Sequence, residues 1–129
     1  SYQANDTRTV QLHVAGPAAL LVAKVTKVEE RRDDLARRQP KDGLDVLRLL
    51  QATPTDVLAR RLTALRHDPL AGPVTSSALA ALRRDGRDPA GLLASLAARS
   101  VGNLADPDTI RGSVAVLVEE LLMALDDAD

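Results

Sequence analysis

A chain of 129 residues with net charge −1 and no cysteine carries no disulfide, no thiolate metal site and no whole-molecule attraction to nucleic acid. No run of about 18 apolar residues is present to span a membrane as a helix. Hydrophobic residues make up 45% and aromatic residues 1%, with Tyr2 the sole aromatic, so Leu, Ala and Val must fill the core of about one domain. Such residues pack well between helices and lack the bulk of sandwich and barrel cores, which favours an all-α fold. Charge is unevenly placed: Lys24 to Arg48 holds eight basic and six acidic residues, whereas Leu104 to Asp129 holds seven acids against Arg111 alone. No secretory leader precedes the first helix, and a soluble cytoplasmic protein is expected.

In chain order, Arg8 to Val14 alternates, with Val10, Leu12 and Val14 on one side and Gln11 and His13 on the other. That is the period of a half-buried strand, which must pair with Tyr2 to Ala4, with a second copy or with a segment outside this chain. Pro17 then opens a helix predicted to reach about Arg38. Its apolar stripe is Leu21, Val25, Val28 and Leu35, bordered by a basic stripe of Lys24, Lys27, Arg31 and Arg38. Gln39-Pro40 ends it. A second helix runs from Lys41 or Asp42 to about Gln51 with Leu44, Leu47 and Leu50 inside, and Thr53-Pro54-Thr55-Asp56 starts a third that stops at Asp68-Pro69. Leu70 to Thr75 is expected as a loop, with Thr75 capping a short helix that ends at Gly86. Asp88-Pro89 begins another, ending near Gly102. Asp106-Pro107-Asp108 caps a terminal helix with Ile110, Val114, Leu117, Leu121 and Leu125 on one face. The expected architecture is a mainly α bundle of about six helices with one N-terminal β-strand, residues 1–129 forming a single helical domain.

Few residues carry a chemical signal. His13 and His67 lie on different elements without a second imidazole at ligand spacing, so no metal site is expected, and no nucleophile elbow, Walker loop or dinucleotide fingerprint occurs. The pairs Arg60-Arg61 and Arg83-Arg84 are nearly balanced by Asp56, Asp68, Asp85 and Asp88, which suits a solvated face. The lysines stand out. A chain with seventeen Lys and Arg residues uses lysine only at positions 24, 27 and 41. Lysine is a compact point charge suited to phosphate, but Lys24 and Lys27 could equally border the core with their stems on apolar neighbours. Asp42 and Asp45 share one face at a helix start. They could hold a cation, orient a lysine or pair with Lys41 and Arg48, or act as first-turn acids that complement the helix dipole, with Asp42 capping free N–H groups.

The combination AALLVAKVTKVEER followed by KDGLDVLRLL, with RTVQLHVA before it, resembles the region after the catalytic strands in nucleotidyltransferase-fold proteins, in particular the abortive-infection toxin nucleotidyltransferases and their bacterial relatives. The resemblance covers about residues 9 to 51. It implies that Lys24, Lys27 and Lys41 contact nucleotide phosphate, supported by Arg31, Asp42 and Asp45. Such enzymes also have a Gly-Ser helix start and an Asp-x-Asp strand that holds Mg²⁺. Neither element precedes the matching stretch, so the resemblance implies the C-terminal portion of a larger toxin-antitoxin protein. Mg²⁺ and a nucleoside triphosphate then belong to the parent protein, with no cofactor in this chain. The expected partner is an upstream catalytic domain, or a second copy joined through the N-terminal strand, and neither a membrane nor nucleic acid. The alternative is a non-enzymatic helical interaction or dimerisation domain.

Overall fold

Proline, whose missing N–H costs nothing in the first turn of a helix, marks most of the helix starts in this chain. The computed structural model describes the backbone of residues 4–128 and the side chains of residues 16–127. Six helices follow one another: α1 (Ala4–Glu30), α2 (Pro40–Ala52), α3 (Thr55–Arg66), α4 (Gly72–Ala81), α5 (Leu92–Val101) and α6 (Pro107–Ala128). Pro40 and Pro73 sit in the first turns of α2 and α4, and Pro107 is the first residue of α6. Pro17 lies inside α1, directly after a break at Gly16, whose φ of 73° only glycine adopts without strain. Asp106 caps α6 as its sequence foretold, accepting the Thr109 N–H at 3.2 Å and the Thr109 hydroxyl at 2.9 Å. Gly102, with φ of 62°, closes α5.

The core is aliphatic throughout. Leu21 and Val25 of α1, Val46 and Leu47 of α2, Leu58 and Leu62 of α3, and Val114, Val118, Leu121 and Leu125 of α6 are all buried. Each fully buried side chain of this kind stabilises the fold by about 1.5–3 kcal/mol before the entropy of ordering it is set against that. α6 lies across α3 and α5, α1 packs on α2, α3 and α4, and the most extensive helix pair is α2 with α5. That close approach depends on Gly43. A Cβ there would stand 2.6 Å from both the Ala97 nitrogen and the Leu96 Cβ. After α4 the chain makes a wide π-turn over Leu82–Gly86 rather than stopping. No helix among the described residues is long and apolar enough to cross a membrane.

The structure departs from the sequence pattern in four places. The strand expected over Arg8 to Val14 is not seen. The backbone is helical from Ala4, and no strand occurs among the described residues. A lone strand leaves its N–H and C=O groups unpaired, while a helix pairs them internally, and Val10 and Val14 also fit a helical i,i+4 pair. The side chains of that segment, and its expected partner Tyr2 to Ala4 in part, lie outside the described residues. Second, α1 ends at Glu30, not Arg38. The Arg31 N–H is shared between Lys27 and Val28 carbonyls at 3.3 Å each, and only a 3₁₀ turn over Leu35–Arg37 follows. Asp33 and Asp34 are poor company for the negative end of a helix, and Leu35 is consequently 74% exposed rather than part of the stripe.

Third, the loop expected at Leu70 to Thr75 is helical from Gly72. The Asp68 carboxylate accepts the Leu70 and Ala71 N–H groups at 2.8 and 3.0 Å, which fixes the turn early and holds its carboxyl below the usual range. Thr75 therefore sits inside α4 and caps nothing. Fourth, α5 begins at Leu92, later than Asp88-Pro89, because the Asp88 carboxylate is taken up by the Ala90 N–H at 2.9 Å in a turn of its own.

Candidate functional site

The stretch singled out by its lysines folds as a hairpin of α1 and α2, and the hairpin sets Lys24 of α1 and Arg31, just past its end, against two carboxylates of α2. Lys24 Nζ lies 2.9 Å from Asp45 Oδ2 and 3.5 Å from Asp42 Oδ1. Arg31 Nη1 approaches the other oxygen of Asp42 at 3.3 Å. Positions 24 and 31 are seven apart and so share a face of α1, while 42 and 45 share a face of α2. Asp42 is 5% exposed and buried by the packing around it. Its carboxylate is turned to α1 and makes no cap bond, although its place in the first turn still suits the α2 dipole. The hydrogen bond to Asp45 is the main cause that raises the Lys24 pKa, with burial opposing it. Two positive and two negative groups thus balance within one cluster.

Lys27 and Lys41 lie outside the cluster. Both are exposed, and neither makes an ion pair with a described residue. Of the predicted phosphate contacts, Lys24 alone is brought to Arg31, Asp42 and Asp45, and its ammonium is already committed to carboxylates. Arg38, the last of the basic stripe, instead donates to the Arg32 carbonyl and closes the turn after α1.

A second cluster was not visible in the sequence. Arg32 Nη1 bridges Asp85 at 2.5 Å and Glu29 at 3.1 Å, and Arg84 reaches both the same carboxylates. Arg83 pairs with Asp126 at 2.8 Å. The Arg83-Arg84 pair is therefore a set of tethers from the π-turn to α1 and α6.

Two of the concave surfaces bear on function. The larger, about 830 Å³, lies between the α2–α3 corner and α6, with Thr53, Thr55, Ser113, Val116 and Leu117 in its walls. Val116 and Met123 are 55% and 59% exposed. Together with Thr109, Gly112, Ser113, Glu120 and Asp127 they occupy the side of α6 turned away from the core, and a Cβ at Gly112 would meet nothing within 4 Å. The only sequence signal for this face was the seven-residue spacing of Val116 and Met123 off the main apolar stripe. The smaller surface, about 440 Å³, lies between α1, α3 and α4. No protein-family model matches the chain, and neither does any curated protein or solved structure.

Proposed function

We propose that this chain is a non-enzymatic helical domain that dimerises through the outward face of α6. The observation that carries the proposal is the row of exposed Thr109, Val116 and Met123, with the half-buried Gly112 among them, on a helix whose opposite side is packed in the core. Two copies related by a two-fold axis at Val116 would run antiparallel, which is the self-complementary arrangement of most homodimers. In that register Glu120 of one copy faces Gly112 and Ser113 of the other, small residues that admit close approach without setting acid against acid. Asp127 falls opposite the start of the second copy's α6. The dipole at the start of that helix favours an acid there, while Asp106 and Asp108 of the same turn oppose it, so the apolar contact of Val116 and Met123, and not charge, carries the pairing.

Sedimentation equilibrium of the purified chain checks the proposal. The expected result is a monomer–dimer equilibrium that Val116→Arg shifts to monomer while thermal unfolding changes little. A chain that stays monomeric at every concentration, or a Val116→Arg variant that dimerises as well as the parent, overturns it.

Lys27 and Lys41, exposed and free of ion pairs with described residues, keep a second reading in play. As the helical C-terminal part of a nucleotidyltransferase-like protein, the domain would offer these two point charges to nucleotide phosphate. Mg²⁺ with ATP, GTP, CTP or UTP titrated into the chain should then bind weakly, and Lys41→Ala should weaken it further. Equal binding by parent and Lys41→Ala removes Lys41 from the site.

A further inference from the structure

We infer that the cleft between α1, α3 and α4 binds an aliphatic monocarboxylic acid. This surface is separate from the α6 face and does not depend on it. The cleft has about 440 Å³ of space, within the range of small-molecule sites. Its walls are Val22 and Ala23 of α1, Leu65 of α3, Ala71 just before α4 and Val74 of α4. All are aliphatic, and the chain from Gly16 onward contains no aromatic residue, so a planar base or ring finds no stacking partner while a hydrocarbon chain is matched. Val74 is 42% exposed at the edge, so the cleft is open to entry.

Its polar equipment is small and specific. Lys27 is the one charged residue in the lining, it is exposed, and no described carboxylate pairs with it. Its complement is an anion. Thr75, 1% exposed, also lines the cleft, and its hydroxyl has no hydrogen-bond partner. A threonine inside a helix ordinarily bonds back to the carbonyl one turn earlier. Here the Ala71 carbonyl accepts the Thr75 N–H at 3.0 Å, but the hydroxyl does not bond back to it as that of Thr63 does to Ala59. A buried hydroxyl left unpaired is costly, and Thr75 and Lys27 line the same cleft, so a polar head entering it would find both a cation and a spare hydroxyl in its wall.

Charge decides between head groups. Past Thr26 and Val74 a neighbouring groove continues to Glu29 and Glu30. Glu29 is paired with Arg32 and Arg84, but the Glu30 carboxylate repels a doubly charged phosphate monoester more than a single carboxylate, and one lysine balances one negative charge. A fatty acid of medium chain length satisfies the apolar walls, the single cation and the spare hydroxyl together.

Calorimetric titration with decanoate below its micelle concentration tests the assignment on the full chain, with decanol as the uncharged control. Decanoate is expected to bind one molecule per chain. Lys27→Gln should weaken decanoate by about tenfold, the effect of losing a charge-assisted contact, and leave decanol unchanged. Thr75→Val, which keeps the shape and removes the hydroxyl, should weaken decanoate while leaving the free protein as stable as the parent or more so. Val74→Trp should block both ligands. Absence of decanoate binding by the parent overturns the inference. So does a Lys27→Gln loss that is equal for decanoate and decanol, or a Val74→Arg change that alters the oligomeric state, which would assign the cleft to a second copy instead.

Discussion

Lys24 and Lys27 stand one turn apart on α1 and have opposite fates. Lys24 faces α2, where Asp42 and Asp45 close around it. Lys27 faces α4, where the neighbours are Leu65, Ala71, Val74 and Thr75 and no carboxylate answers it. The α1–α2 side of the helix is electrostatically complete, and the α1–α4 side carries a free cation and an unpartnered hydroxyl. The difference teaches that a lysine cluster in sequence says little about which lysine is available. Availability is decided by the helix that packs opposite.

The closed side can be broken first through its packing. Leu47 of α2 is 2% exposed, and Leu47→Ala is expected to cost about 2–5 kcal/mol in denaturant unfolding, the range for a buried leucine leaving a cavity. Gly43→Ala should follow at about 1–3 kcal/mol, since the added methyl meets the Ala97 backbone and α2 must shift away from α5. Its signature is a lowered unfolding midpoint with helical content retained.

The lysines themselves give the sharpest contrast. Lys24→Met leaves Asp45 without its partner and should cost about 1 kcal/mol, a charge-assisted bond discounted for its partial exposure to solvent. Lys27→Met should fall within about 0.5 kcal/mol of the parent, as for a surface change away from any partner. Equal effects of the two substitutions would erase the distinction between the two sides.

The smallest expected effect is on acid stability. The hydrogen bond from Arg32 is the main cause holding the Asp85 carboxyl below its ordinary value of 3.8, with Arg84 adding to it. A depressed folded pKa means that the unfolded chain takes up the proton first as pH falls. The contribution of Asp85 is therefore complete above about pH 4 and is lost as pH drops through the folded value. Asp85→Asn should make the loss of stability on acidification shallower and lower the midpoint slightly at neutral pH, measured by urea unfolding across the acid range.

Much of the helical plan was legible because its signals are local. Asp106-Pro107, Pro40, Pro17 and Gly102 each act within one turn, and the 3.6-residue period placed Leu21, Val25, Leu47, Leu121 and Leu125 inside. Leu35 failed by the same rule, since a period extrapolated past Arg31 has no knowledge of where the helix stops. The ion pairs were illegible for a different reason. Lys24 and Asp42 are 18 residues apart, and Arg32 and Asp85 are 53 apart, so their meeting depends on how helices cross. The Lys41-Asp42-x-x-Asp45 stretch illustrates the risk. Read as chemistry, it supplies a phosphate ligand and its supports; in three dimensions Asp42 and Asp45 hold α1, and Gly43 between them admits α5. Thr75 reads as a cap because it precedes an apolar run, whereas the turn that the Asp68 carboxylate fixes starts the helix at Gly72.

The π-turn at Leu82–Gly86 has a consequence for how the length of this chain can vary. A π-turn is an α-helical turn widened by an extra residue, and here the widening lets the consecutive residues Arg83, Arg84 and Asp85 address α6 and α1 at once. Loss of a single residue from this segment would restore an ordinary turn and rotate everything after it by about 100° around the helix. Arg83 would leave Asp126, and Asp85 would leave Arg32. Insertions and deletions elsewhere between the helices change a loop; one here changes which helices are tied together.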